Sequence, residues 1–478
     1  MRTVRNDSTA LAIAADRGGI DRENRRGRAD SPDRGDHRMV TNRVLAVCAC
    51  LSVGVLVWHV FALPLGNPYY GLFNCDLDMQ VYRAGGQALL ERNPLYRGPV
   101  VWEMEFTYTP FAAITFVPLA LFGLTATKVI WWLAIMAALI ALVARCLLVL
   151  RFERTPRTWL FATLLALLCT ALEPVRSTIW LGQINVFLVL LIVWDLTRPA
   201  SARTRGMGVG IAAGIKLTPA FFLVYLACTR QWRAFGVAVA TFAGTIGVGF
   251  LVRPRDSWTY WGAQVATSGR VGSVDSPGNQ SINGFVAQLL RFLDAQSFIS
   301  TAPGWAVYTP PTWLWLAAAT PVIVLGLAAA VVAHRTGRTL LAVTLTGMTS
   351  ACASPFSWGH HWVWFVPLLV LALHHGLTTR ERRRWAPTAV VLALSLCWWW
   401  NYPDRPPLAE SPHPIGIGLF MLPRDDIPDW WSYLAVPFYS GCYPLLCVMA
   451  AVYVLLRRDR DAAEPDSNHS RTFPRSES

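Results

Sequence analysis

Apolar runs long enough to cross a bilayer recur along almost the whole chain, near 44–65, 128–150, 158–172, 184–197, 234–252, 312–333, 339–354, 361–374, 386–400 and 434–456. About 20 apolar residues cross the hydrocarbon core as a helix. Backbone inside lipid has no water to bond to, so it must be helical or closed into a barrel. The strict alternation of a barrel strand is absent, which leaves helices. Two more stretches, 110–124 and 206–228, are apolar but interrupted. With 54% hydrophobic and 15% charged residues, the 478-residue chain is no ordinary soluble enzyme. The expectation is an all-α, polytopic helical membrane protein with about 10–13 membrane helices.

The net charge of +13 is carried almost wholly by arginine, for Lys128 and Lys216 are the only lysines. The arginines stand in short segments between the runs, such as Arg151, Arg154 and Arg157, or Arg230 and Arg233. That distribution argues against nucleic acid and, by the positive-inside rule, places these segments in the cytoplasm. The longer polar segments 66–109, 253–311 and 401–433 then fall outside. A multi-pass domain over 44–456 is expected, between Arg-rich, disordered cytoplasmic tails at 1–43 and 457–478. A full crossing by 110–124 would push "RFERTPR" outside against its charge, so a short re-entrant or interfacial helix is expected there. Arginines flank 206–228 on both sides, and two half-helices broken at "KLTP" resolve it. Ten cysteines show no CxxC or Cys/His spacing. No acidic metal cluster is visible, so neither metal nor cofactor is expected.

Most of the unusual polar motifs fall in the outer segments. "NCDLDMQVYR" holds Asp76 and Asp78 where an interfacial helix is expected to start, near Asp78. Each is open to three readings: a solvated charge, a helix N-cap, or a general base beside an acceptor hydroxyl. Lys216 lies deep in an apolar stretch, where an ammonium needs a cavity, an anion or a partner, and a phosphate suits it. "EPVRSTIWLGQINVFL" supplies Arg176, able to bind a phosphate bidentately, and Gln183 and Asn185, whose amides suit sugar hydroxyls. Capping and loop solvation explain them equally well. "SPFSWGHHWVWFVP" puts His360 and His361 at an outer helix start, where a His pair can donate to a phosphate. Being adjacent, they do not chelate a metal as an i,i+4 pair does. "GRVGSVDSPGNQSINGF" supplies Arg270, Asn279 and Asn283, which suit a glycan acceptor or a simple turn. Tyr82 and Tyr108 suit packing against sugar or lipid, with interfacial anchoring as the plainer reading.

In order, "DMQVY", "LYRG…FTYTPFA", "EPVRSTIWLGQIN", "GIKLTPAFFLVYL", "GRVG…NQSINGF" and "SPFSWGHHWVWFVPL" resemble glycosyltransferase family 87 from about residue 44 to 456. These are polyprenyl-phosphate-mannose-dependent mannosyltransferases with a GT-C-type membrane fold. The likeness is greatest to the α-1,2-mannosyltransferases of phosphatidylinositol mannoside and lipomannan assembly. The resemblance implies interfacial helices in the first outer loop and an active site on the extracytoplasmic face of the cell membrane. It implies a lipid-phosphate sugar donor and a mannosylated glycolipid or lipoglycan acceptor. The family's Asp-x-x-Val-Tyr pattern puts the base on Asp78 and leaves Asp76 without a role. Its Lys and His-His motifs fall on Lys216, His360 and His361, which would hold the donor phosphate. Arg176 is a further candidate for that phosphate, and Tyr82, Tyr108, Gln183, Asn185, Asn279 and Asn283 are candidates for sugar and acceptor. The chain departs from the family in reading "FTYTPF" for the usual FTYPPF, and Gly359 stands at a variable position before the His pair. Rival readings are an arabinofuranosyltransferase using polyprenyl-phosphate-arabinose and, from another class, a lipid-linked-sugar transporter or flippase.

Overall fold

The computed structural model describes residues 40–61, 65, 71–266, 271–302, 305–378, 381–402, 413–422 and 429–463. The expectations for most of both tails and for Arg270 lie outside the described residues. The protein is a multi-pass helical membrane protein. Among the described residues, four helices are long and apolar enough to cross a membrane: Asn42–Phe61, Leu124–Val149, Trp232–Val252 and Thr312–Arg335. A fifth crossing results if Trp430–Ser440 and Cys442–Arg457, bent by 72°, count as one. Six other apolar helices among the described residues are shorter, including Pro110–Ala120, Asn185–Leu196 and Thr339–Ala353.

These shorter helices lack the length of a full crossing. A helix of 11 to 15 residues reaches about 16–22 Å, against about 30 Å of hydrocarbon. The 386–400 run differs in kind as well as length. Its helix stops at Ser395, and Trp398–Tyr402 pairs antiparallel with His413–Ile417, as suits an aromatic-rich segment. Two more short hairpins, Pro99–Val101 with Met104–Glu105 and Ile299–Ala302 with Trp305–Tyr308, sit in the loops.

Close approach of small residues positions the site. Gly206, Gly210 and Gly214 recur every fourth residue, on one side of the helix Met207–Ile215 and its N-cap. A Cβ at each would fall 2.1 Å from the Ala234 carbonyl, 2.6 Å from that of Ala238 and 2.3 Å from Thr245. This helix thus lies directly on Trp232–Val252, by the small-residue packing common in membranes. It ends at Lys216, whose backbone is extended (φ −140°, ψ 131°), and helical structure resumes at Thr218. The 206–228 segment is two half-helices with the lysine at the break.

The glycine pair in "YRAGGQ" acts similarly. Gly85 meets Phe106, and Gly86 meets the Phe116 backbone, so Leu77–Leu90 lies tightly on Pro110–Ala120. Thr109, at the departure from the family pattern, is the N-cap of the second helix: its Oγ1 accepts from Ala112 N at 3.0 Å and donates to the Gly214 carbonyl. The hydroxyl therefore caps one helix and ties it to the end of the Lys216 half-helix.

Candidate active site

Asp76 and Asp78 separate at once. Asp76 occupies the N-cap of Leu77–Leu90 in the left-handed region (φ 42°), but its side chain makes no capping bond. Its carboxylate, 1% exposed, pairs instead with Lys128 at 2.8 Å, and its N–H bonds the Trp180 carbonyl. Asp78 lies in the first turn of the same helix, half-buried, and faces the chain's other lysine, Lys216.

Around Asp78 the polar groups connect. Gln183 hydrogen-bonds to its carboxylate. The Gln183 Oε1 accepts from the Tyr82 hydroxyl at 2.9 Å, and Tyr82 meets the Tyr108 hydroxyl at 3.0 Å. Gly182 delivers Gln183 here: it ends the helix Glu173–Leu181 with φ +68°, a conformation that suits glycine, directly against Met79. The Lys216 ammonium donates to Asn185 Oδ1 at 3.0 Å and to His361 Nε2 at 2.9 Å. Asn185 also binds the His360 carbonyl at 2.8 Å. Lys216 is thus held in place by an amide and an imidazole before any ligand arrives.

These groups open on a cavity of about 980 Å³, lined by Asp78, Tyr108, Arg176, Gln183, Lys216, His360 and His361 together with Glu173, Trp180, Tyr260, Trp358 and Phe420. Burial pushes the Asp78 carboxyl up to about 6, although the Gln183 bond and the Lys216 charge pull the other way. Burial likewise pushes Glu173 up to about 7, against the Tyr443 and Ser177 bonds and the Arg176 charge. Asp78 thus changes charge close to neutral pH, where a general base is most effective.

Other candidates sit elsewhere. Tyr82 and Asn185 are buried behind the cavity wall and hold the groups that line it. Asn279 and Asn283 are not in the lining: both carboxamides donate to the Pro355 carbonyl. Asn279 also binds Val274 O and accepts from Ser281 N and Ser357 N. Both therefore brace the segment before the His pair.

Glu173 had no role in the sequence reading, and Tyr443, which donates to its Oε2 at 2.7 Å, lay outside every motif. A signal for the first existed. Glu173, Arg176, Ser177 and Trp180 are spaced i, i+3, i+4 and i+7, one helical face, and all four line the cavity. Among the described residues, no group of three or more His, Cys, Asp or Glu converges as a metal site.

The family model of glycosyltransferase family 87 matches residues 106–355. The chain is 30% identical over 430 residues to a polyprenol-phosphate-mannose-dependent alpha-(1-2)-phosphatidylinositol mannoside mannosyltransferase of Mycobacterium tuberculosis, covering 87% of this chain and 91% of that protein. A Mycolicibacterium smegmatis protein of the same description is 30% identical over 383 residues, 72% of this chain and 81% of its own. A Mycobacterium tuberculosis phosphatidylinositol pentamannoside mannosyltransferase, likewise polyprenol-phosphate-mannose-dependent, is 34% identical over 337 residues, 69% of this chain and 72% of its own. No solved structure matches the chain.

Proposed function

The chain belongs to glycosyltransferase family 87, and from that premise we propose that it transfers mannose from polyprenyl-phosphate-mannose to a mannosylated phosphatidylinositol lipid, forming an α-1,2 linkage. The donor, the acceptor class and the linkage follow the descriptions of the relatives, which favour mannose over arabinose and transfer over transport. Lipomannan and lipoarabinomannan are acceptors of the same chemistry. The reaction takes place on the extracytoplasmic face, with both termini in the cytoplasm, because arginines mark the opposite side of the bilayer.

The observation that carries the reading is the cavity itself, where Asp78 faces the Lys216–His361 pair. Asp78 takes the proton of the acceptor hydroxyl as its oxygen attacks the anomeric carbon. The bond from that carbon to the phosphate oxygen breaks, the configuration inverts, and polyprenyl phosphate leaves with the electron pair. Lys216, His360, His361 and Arg176 stabilise the charge of the leaving phosphate, and Lys216 and His361, already bonded to each other, need not reorganise as it forms. Tyr108 and Gln183 border the sugar and acceptor, while Tyr82 and Asn185 hold them and Lys216 in register. These residues supply the proton acceptor and the counter-charge that the reaction needs, without a metal.

Purified protein in lipid nanodiscs, given radiolabelled polyprenyl-phosphate-mannose and a phosphatidylinositol mannoside, tests the proposal. Transfer is expected, with the label released by an α-1,2-specific mannosidase. Asp78→Asn should slow it about 10²- to 10⁴-fold, the usual worth of a general base. Undiminished turnover by that variant would remove Asp78 as the base, and transfer of arabinose but not mannose would overturn the donor assignment.

A further inference from the structure

Glu173 takes no part in the transfer just described, yet its side chain lies inside the reaction cavity and the residue is only 7% exposed. It opens the helix Glu173–Leu181, whose Val175, Thr178 and Ile179 are buried while Glu173, Ser177 and Trp180 line the cavity. A carboxylate, a hydroxyl and an indole on one helical face form a surface suited to a sugar ring. Tyr443 donates to Glu173 Oε2 at 2.7 Å, while the Ser177 hydroxyl donates to the main-chain carbonyl of Glu173 at 2.8 Å. An ionised carboxylate offers about four acceptor positions, so the Tyr443 contact leaves capacity for a hydroxyl from the cavity.

The neighbour on the other side says which hydroxyl. The Gly359 backbone lies so close that a Cβ there would fall 2.5 Å from both carboxylate oxygens. His360 and His361, proposed above for the donor phosphate, come next in the chain. A group fixed against that turn is placed beside the sugar joined to the phosphate.

We propose that Glu173 binds a ring hydroxyl of the donor's mannosyl group, with Ser177 and Trp180 flanking it, so that this helix face selects the donor sugar. The inference rests on the mannosyl-transfer reading above. Selectivity follows because a buried carboxylate that loses a hydroxyl partner stays desolvated without compensation, which penalises a donor lacking that group.

The test compares the protein with Glu173→Gln on polyprenyl-phosphate-mannose and on four donors that each lack one of the C2, C3, C4 or C6 hydroxyls. The unaltered protein should discriminate against one of them by about 10- to 100-fold in kcat/KM, the worth of a hydrogen bond to a charged group. In Glu173→Gln that penalty should fall to about threefold or less, with the other three unchanged. Each penalty is a ratio within one preparation, so partly misfolded protein does not distort it. Should Glu173→Gln yield no active protein, Glu173→Asp must shrink the same penalty. If all four penalties are preserved in the variant, Glu173 serves only as an anchor for Tyr443 and the inference is overturned. No mannose transfer by the unaltered protein would instead sink the earlier reading.

Discussion

Replacing Lys216 with methionine removes one charge while keeping most of the side chain's length, and the site makes two separate demands on that charge. The ammonium is fixed between Asn185 Oδ1 at 3.0 Å and His361 Nε2 at 2.9 Å, with the Tyr108 ring centre 5.9 Å away. Loss of one such preorganised donor to a developing anion costs about 10²–10³ in kcat, or about 2.7–4 kcal/mol. The second effect runs through Asp78. Burial raises its carboxyl to about 6 while Lys216 and Gln183 hold it down, so without the ammonium it must rise further. A base works as the carboxylate, and activity therefore falls as pH drops through its pKa. The acidic limb of the rate profile should consequently move to higher pH in Lys216→Met, making the deficit larger near pH 6 than near pH 8. Single-turnover rates across that range, with Lys216→Arg as the charge-retaining control, measure both effects. A Lys216→Met enzyme of undiminished rate, or one whose acidic limb stays put or moves down, would refute this reasoning.

The ion pair behind the site should show in stability. Lys128→Met leaves the Asp76 carboxylate buried and unpaired. The expected loss is about 1–3 kcal/mol, below the fully buried range because solvent reaches the lysine. The double variant Asp76→Asn with Lys128→Met should recover most of it in thermal unfolding, and equal melting temperatures for all three would contradict the pairing. Gly182→Ala places a Cβ 2.6 Å from Met79 Cβ at φ +68°. Strain and overpacking together should cost about 2–4 kcal/mol, and kcat should fall because Gln183 follows and Asp78 precedes the clash. A stable variant of normal kcat would show that this contact does not position either.

Much of the site was legible along the chain because its signals are local. The break at "KLTP" depends on a proline and on a lysine in an apolar run, and the helix does stop at Lys216. Asp78 was marked by its own motif, and it lines the cavity. The lengths of the short helices were not legible, because hydropathy records how apolar a segment is, while its helical length depends on where caps and strand partners interrupt it. Trp398–Tyr402 needed His413–Ile417 before it became a strand. Asn279 and Asn283 were open along the chain to an acceptor or a turn, and only the fold sets both amides against the Pro355 carbonyl.

By itself the sequence determined a helical membrane protein, since lipid leaves the backbone no other way to satisfy its polar groups, and it determined the family, since ordered motifs are properties of the chain. Tertiary structure alone decided that Asp76 goes to Lys128 while Asp78 faces Lys216, and that the Glu173 face borders the same cavity. Such choices depend on distances between helices remote in sequence. Those distances are set by how closely the backbones pack at Gly85 and Gly86 and at Gly206, Gly210 and Gly214, and no neighbouring residue records them.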